Sequence, residues 1–276
     1  MAGRAESNGL EVFAWLPSRQ ADPSFGAGPP SPGLRRFLEQ SGARHALWLY
    51  EPEAEAVVGA LHRETGVAVH PVVPNMAAYV RDTADRGPIG AALVRFKRLG
   101  LADRVRLGLH HARRAPGILG KDFTTGLLIL IEMETAKVRP FGSRHVFLHP
   151  SVTDLALALG NRALFDAFLT FAGRTLGLTP ALVTHNFGVL IPRLAEWGLR
   201  PPLIAAPFNP RGYLMYPSQA RCEAALRSWP SPVLALRPDL DGRIPRPEAF
   251  AYLRSRGIRQ AALDPGRGSS AEDDLR

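Results

Sequence analysis

Residues 180–188 read Pro-Ala-Leu-Val-Thr-His-Asn-Phe-Gly, and they show the pattern on which the fold prediction depends. Residues 181–184 form a short apolar run that favours a β-strand and is too short for a helix. The apolar residues of the segment 189–197 then recur at helical spacing, and Gly198 follows them. His185 and Asn186 therefore lie where a buried strand ends and a helix begins, which is where α/β proteins bind ligands.

The same alternation of strand and helix patterns runs along the chain. Nine segments are predicted as strands: 11–16, 45–50, 67–73, 104–109, 145–148, 181–184, 203–206, 233–236 and 259–263. Strands that alternate with helices pair in parallel, so we predict an α/β fold, a (β/α)8 TIM barrel with an extra N-terminal strand, residues 11–16. In the alternative, residues 11–16 form the first barrel strand and residues 259–263 lie outside the barrel.

The chain is expected to form one domain over residues 1–276, with a long loop rich in Pro and Gly at 17–33 and a polar tail at 266–276. Its 46% hydrophobic and 21% charged residues are typical of a folded protein and not of a disordered one. The net charge of +9 comes almost entirely from arginine, without basic runs interleaved with aromatic residues, so we predict no nucleic-acid partner.

No apolar run is long enough to span a bilayer, and Cys222 is the only cysteine, which excludes an intrachain disulfide. We therefore expect a cytoplasmic protein that acts on a small molecule and has no membrane partner.

Histidines follow three successive predicted strands. His110 and His111 follow the strand 104–109, while His149 and His185 follow the two strands after it. Imidazole can transfer a proton or bind a metal near neutral pH, so one rim that carries His110, His149 and His185 predicts a reaction site. Together with Asp154 or Asp264 they could ligate a metal, but no metal-binding motif occurs and no metal site is predicted.

The polar tail offers a candidate anion site. Arg267, Ser269 and Ser270 lie in a stretch rich in Gly and Ser just before residues that could open a helix. Backbone N–H groups, hydroxyls and a guanidinium at such a position can hold a phosphate group.

Several motifs in the second half of the chain occur in a familiar order. They are Phe147-Leu148-His149-Pro150 after the fourth barrel strand, His185-Asn186-Phe187 after the fifth, Phe208-Asn209-Pro210 after the sixth, the residues 238–243 after the seventh, and the residues 266–272 after the eighth. In this order the chain resembles the aldo-keto reductases over residues 145–275, roughly half of its length.

This resemblance implies a barrel that reduces a carbonyl group with NADPH. His149 would orient or polarise the carbonyl, and Tyr79 would donate the proton. Asn186 and Asn209 would face the cofactor, while the tail residues Arg267, Ser269 and Ser270 would hold its phosphate.

The first half departs from the family. Residues 73–75 read Val-Pro-Asn where the family has Asp-Thr-Ala, and His110-His111 stands where it has a lysine, so the catalytic tetrad is not intact. Two other functions therefore stay open. One is lyase, isomerase or hydrolase chemistry at the histidine rim, with or without a metal. The other is a non-catalytic protein that binds a small anion.

Overall fold

Eight parallel strands form a closed barrel in the computed structural model, which describes residues 9–18, 22, 24–112 and 122–265. In chain order the strands are β1 (Glu11–Trp15), β2 (His45–Leu49), β3 (Ala68–Val73), β4 (His145–Leu148), β5 (Thr179–Val183), β6 (Leu203–Pro207), β7 (Val233–Leu236) and β8 (Gln260–Leu263). Each strand pairs in parallel with its neighbours in the sequence, so the predicted (β/α)8 TIM barrel is confirmed.

The barrel closes between β1 and β8, where Phe13 aligns with Ala262. The predicted extra N-terminal strand is therefore wrong, because residues 11–15 form the first barrel strand. The alternative that places residues 259–263 outside the barrel is wrong as well, because β8 pairs with both β1 and β7. That the whole chain forms one domain stays a prediction.

Ten α-helices connect or flank these strands in the described part of the chain. They are α1 (Pro32–Ser41), α2 (Glu55–Thr65), α3 (Met76–Lys97), α4 (Leu101–His111), α5 (Phe123–Val138), α6 (Pro150–Ala158), α7 (Arg162–Thr170), α8 (Phe187–Trp197), α9 (Gln219–Ser228) and α10 (Arg246–Ser255). Helix α8 follows β5 and ends at Gly198 in the left-handed conformation, as predicted. None of the described helices combines the length and apolar content that crossing a bilayer requires.

The fourth predicted strand, residues 104–109, is wrong. These residues lie inside helix α4, and Val105, Leu107 and Leu109, which alternate as in a strand, do not share an environment. Leu107 is buried, whereas Val105 and Leu109 are exposed. The Arg104 guanidinium also donates hydrogen bonds to the carbonyl oxygens of Leu99 and Lys97, which stabilises the helical start.

Side chains fill the barrel interior, so it is a core and not a channel. Phe13, Leu47, Val72, Phe147 and the inward residues of β5 to β8 form one buried apolar cluster. Trp15 packs on this cluster near the carboxyl end of β1 and stays partly exposed. The open end of the barrel is therefore the end at which the strands finish, which we call the mouth.

Candidate active site

His149 is positioned at the mouth by both its backbone and its ring. Its backbone N–H donates to the Val73 carbonyl oxygen at 2.8 Å, which extends the β3–β4 ladder by one residue. It is also the N-cap of α6, where its Nδ1 accepts a hydrogen bond from the Ser151 N–H at 3.2 Å. Because Nδ1 accepts, the neutral ring carries its proton on Nε2.

The environment keeps this imidazole neutral. Burial, together with the neighbouring His185 ring, lowers the pKa of His149 to about 4, although the Asp154 carboxylate opposes the shift. At neutral pH, His149 is therefore a hydrogen-bond donor through Nε2 and not a proton reservoir. A neutral imidazole donor of this kind can polarise a carbonyl oxygen.

Asp154 joins helix α6 to the end of β5. Its Oδ1 accepts the Thr184 hydroxyl, and its Oδ2 accepts the His185 backbone N–H at 3.1 Å. The His185 Nδ1 lies 3.7 Å from the same Oδ2. Burial would raise the pKa of Asp154, but the hydrogen bonds from His185, Thr184 and Asn186 outweigh it and lower the pKa. A carboxylate that is ionised at neutral pH thus lies beside the His185 ring.

The His185 imidazole is the reachable partner in this pair, since 42% of its side chain is exposed. With Nδ1 turned toward Asp154, its Nε2 edge is the one available to a ligand. An imidazole backed by a carboxylate is the arrangement that general bases use, because the carboxylate fixes the ring and stabilises its charged form. His149 and His185 follow the neighbouring strands β4 and β5, as the sequence predicted.

Asn186, predicted to face a cofactor, builds the turn after β5. Its backbone N–H donates to Thr184 Oγ1 at 2.8 Å, and its carbonyl oxygen accepts the first amides of α8, those of Val189 and Leu190. Its side-chain amide also helps to lower the pKa of Asp154. Asn186 therefore supports the Asp154–His185 pair through Thr184, whose hydroxyl donates to Asp154.

Asn209, predicted for the same role, is fully buried and shapes the loop after β6. Its Nδ2 donates to the Tyr213 carbonyl oxygen at 2.8 Å, and its Oδ1 accepts the backbone N–H groups of Tyr213 and Arg211. Its side-chain hydrogen bonds thus all go to the loop that it closes.

Tyr79, the predicted proton donor, lies in the first turns of α3. Its ring packs with an apolar cluster that includes Leu99 and Leu107, and the Arg95 guanidinium lies 5.5 Å from the ring centroid. These contacts join α3 to α4 and α5.

The expected position of His110 at the mouth is wrong, because no strand precedes it. His110 and His111 end helix α4, where Glu132 of α5 accepts a hydrogen bond from each. The distances are 2.6 Å from His110 Nδ1 to Oε1 and 2.8 Å from His111 Nε2 to Oε2. One buried carboxylate therefore holds two histidines, and this clamp fastens α4 to α5.

The remaining predicted site residues, Arg267, Ser269 and Ser270, lie outside the described residues. Within the described ranges, no three His, Cys, Asp or Glu side chains are placed to share a metal ion. Sequence reasoning singled out Asp154 only as a metal ligand, and it missed Thr184 and Trp15. The inward alternation of Glu11, Phe13 and Trp15 is the signal that could have placed Trp15 at the mouth.

Comparisons with known proteins add little to this picture. No family model matches the chain, and no curated protein sequence matches it significantly. Among solved structures, the chain is similar to a thiamine phosphate pyrophosphorylase from Pyrococcus furiosus, with 12% identity over 96% of this chain and 90% of that one, and a TM-score of 0.42. It is also similar to a candidate 2,5-diketo-D-gluconic acid reductase B, with 15% identity over 99% of this chain and 83% of that one, and a TM-score of 0.48. At these values neither likeness carries an argument about function, and the barrel assignment stands on the strand pairing.

Proposed function

We propose that this protein is a barrel enzyme that moves a proton next to the carbonyl group of a small molecule. His149 would donate a hydrogen bond from Nε2 to the carbonyl oxygen, and His185, backed by Asp154, would accept the proton from the adjacent carbon. One observation carries the proposal: a neutral imidazole donor and a carboxylate-backed imidazole follow the adjacent strands β4 and β5.

The two roles are complementary. When the C–H bond breaks, its proton goes to His185 Nε2 and its electron pair moves toward the carbonyl oxygen, which becomes negatively charged. The His149 N–H stabilises that charge in a partly buried site, where such a donor is worth more than in water. Return of the proton to the same or a neighbouring carbon gives exchange or isomerisation, so the protein needs no further reactant.

The test is hydrogen–deuterium exchange at carbon. The protein is incubated in D2O with a panel of small aldehydes, ketones and 2-keto acids, and proton NMR follows loss of the signal next to the carbonyl. We expect the protein to accelerate exchange for at least one compound. The exchange rate should fall by about tenfold or more in His185→Ala and in His149→Ala.

Asp154→Asn should also slow the exchange, and Asp166→Asn, an exposed carboxylate on α7, is the matched control. Circular dichroism would verify that each variant is folded. Exchange that proceeds equally in His185→Ala and in the unchanged protein would overturn the proposal, as would the absence of exchange for every compound of the panel.

A second proposal is carbonyl reduction with NADPH, which the order of motifs in the second half favours. The same His149 donor would polarise the carbonyl, and Arg267, Ser269 and Ser270 would bind the cofactor phosphate. It ranks second because Asn209, one of its expected cofactor contacts, is fully buried and its amide is engaged within the loop after β6. NADPH should raise the melting temperature or quench tryptophan fluorescence, less so in Arg267→Gln. No response at millimolar NADPH would overturn it.

A further inference from the structure

A cavity of about 470 Å³ lies outside the mouth, between the end of β2, the helix α3 and the helix α5. A break in α3 creates it. Gly87 has φ 69° and ψ 168°, a conformation that is costly for any residue with a Cβ atom, and it interrupts the helix. The two halves of α3 then meet across the ion pair between Asp82 and Arg95, whose atoms Oδ2 and Nη1 are 2.6 Å apart.

The floor of the cavity consists of buried polar groups that satisfy one another. Arg95 is only 7% exposed, and besides Asp82 its guanidinium faces Glu134, with 3.5 Å from Nε to Oε1. Glu134 Oε2 accepts the backbone N–H of Asn75 at 2.8 Å. Burying charged groups is costly, so such a floor beneath an open cavity is typical of a binding site.

The floor contributes little net charge. Arg95 compensates Asp82, and burial raises the pKa of Glu134 to about 7 although the Asn75 N–H and Arg95 oppose the shift. The charge that a ligand meets in the cavity therefore comes from its walls and not from its floor.

The two walls carry opposite charge. On the α3 side lie Arg81 and Arg98, both exposed, and neither guanidinium forms an ion pair or hydrogen bond with the part of the chain that the structure describes. On the other side lies the exposed Glu53, carried by the turn Pro52–Ala54. A small cavity with a cationic and an anionic wall selects a ligand that carries both charges.

We propose that this cavity binds a small zwitterion of the α-amino acid class. The ligand carboxylate contacts Arg81 and Arg98, whose forked donors suit a planar anion, and its ammonium group faces Glu53. The cavity size falls in the range of small-molecule sites. His149, Asp154 and His185 are not among its lining residues, so this site does not depend on the proposed chemistry at the mouth.

Isothermal titration calorimetry of the full chain with free α-amino acids tests the proposal. We expect at least one to bind, and its N-acetyl form and its methyl ester, which each lack one charge, to bind at least about tenfold more weakly. Arg81→Gln, Arg98→Gln and Glu53→Gln change only wall residues, and each should weaken binding by a similar factor. Arg200→Gln, an exposed arginine outside the cavity, is the matched control and should leave binding unchanged.

The proposal would be overturned if no amino acid binds at millimolar concentration, if the ester binds as tightly as the free acid, or if Arg81→Gln and Arg98→Gln leave the affinity unchanged. Acetate or phosphate that binds as tightly as the amino acid would also overturn it, because the site would then recognise any anion. Deuterium exchange at the mouth reports separately on the proposed function.

Discussion

Histidines lie at both ends of this barrel, and the two groups differ in what their ring nitrogens contact. At the mouth, His149 and His185 each direct one nitrogen to the protein and leave the other edge for a ligand. At the opposite end, where the strands begin, the rings of His45, His70 and His145 pack on one another. We call this second group the floor cluster.

The floor cluster contains a chain of hydrogen bonds whose direction is fixed at one end. The Arg144 N–H can only donate, so His70 Nδ1 accepts it at 3.2 Å and the proton of the neutral His70 ring is on Nε2. His70 Nε2 then donates to His45 Nδ1 at 3.0 Å, and His45 Nε2 faces Glu11 at 3.3 Å. These hydrogen bonds use both ring nitrogens of His45 and of His70, so neither imidazole has a nitrogen left for a ligand.

The contacts of an imidazole, and not its position in a rim of the barrel, therefore separate a structural histidine from a candidate catalytic one. The floor histidines should therefore determine stability, and the mouth histidines should determine activity. Each of the following measurements tests that separation.

The largest loss of stability is expected from His70→Ala. His70 is fully buried and holds both the Arg144 amide and the His45 ring, so the substitution leaves a cavity and two unpaired groups. We expect a loss of about 2–4 kcal/mol in the free energy of unfolding, measured with urea, against about 1 kcal/mol for His149→Ala. Equal losses in the two variants would contradict the separation.

The pH dependence of stability follows from the same cluster. Burial lowers the pKa of His70 to about 3 and also lowers the pKa values of His45 and His145, and His149 shifts in the same direction. The unfolded chain thus takes up protons near pH 6.5 that the folded chain does not bind, so the contribution of these histidines to stability is complete above that pH and falls as the pH decreases. Each histidine contributes at most about 1.4 kcal/mol per pH unit.

Glu134 has the opposite effect on the pH dependence of stability. Its pKa is raised to about 7 in the folded protein, so its contribution to the free energy of unfolding is lost as the pH rises toward that value. Four shifted histidines outweigh this one carboxyl. Urea unfolding between pH 4 and 8 should therefore show a decline toward acid that is less steep in His70→Ala. A decline of the same slope in both proteins would show that the floor cluster is not its source.

A smaller loss of stability is expected from Asp154→Asn at the mouth. Both carboxylate oxygens of Asp154 accept hydrogen bonds, one from the Thr184 hydroxyl and one from the His185 backbone N–H. In the asparagine variant an NH2 group replaces one oxygen, so it faces one of these donors and that hydrogen bond is lost. We expect a loss of about 1–2 kcal/mol by thermal unfolding, whereas Asp166→Asn should be within about 0.5 kcal/mol of the unchanged protein. Indistinguishable variants would mean that Asp154 does not hold the turn after β5.

The smallest effect on stability is expected from His185→Ala. Its ring is substantially exposed and its backbone N–H, which remains in the variant, makes the shorter contact with Asp154. The free energy of unfolding should change by less than about 0.5 kcal/mol while carbon exchange is lost. A large loss of stability would assign His185 to the structure of the mouth instead.

The sequence was sufficient for the barrel because its strand and helix patterns repeat regularly from residue 145 onward. It failed at residues 104–109, where the spacing of Val105, Leu107 and Leu109 suits a strand, since the pattern does not reveal that two of them are exposed. The same error put His110 on the rim. His149 and His185 were found because each directly follows a well-patterned strand.

The partners of those histidines could not be read from the sequence. The contact between Asp154 and His185 depends on how α6 packs against the end of β5, and the floor cluster depends on the register of β1 to β4. Both are long-range relations that local periodicity does not encode. The cavity beside α3 likewise requires the break at Gly87 to be placed in space.

The most direct test of the mouth assignment is the protonation state of His149, read from the 15N shifts of its imidazole by NMR and assigned with His149→Ala. We predict a neutral ring at pH 7 with its proton on Nε2, and a titration near pH 4. A ring that is charged at pH 7, or that carries its proton on Nδ1, would contradict the role of His149 as a carbonyl donor.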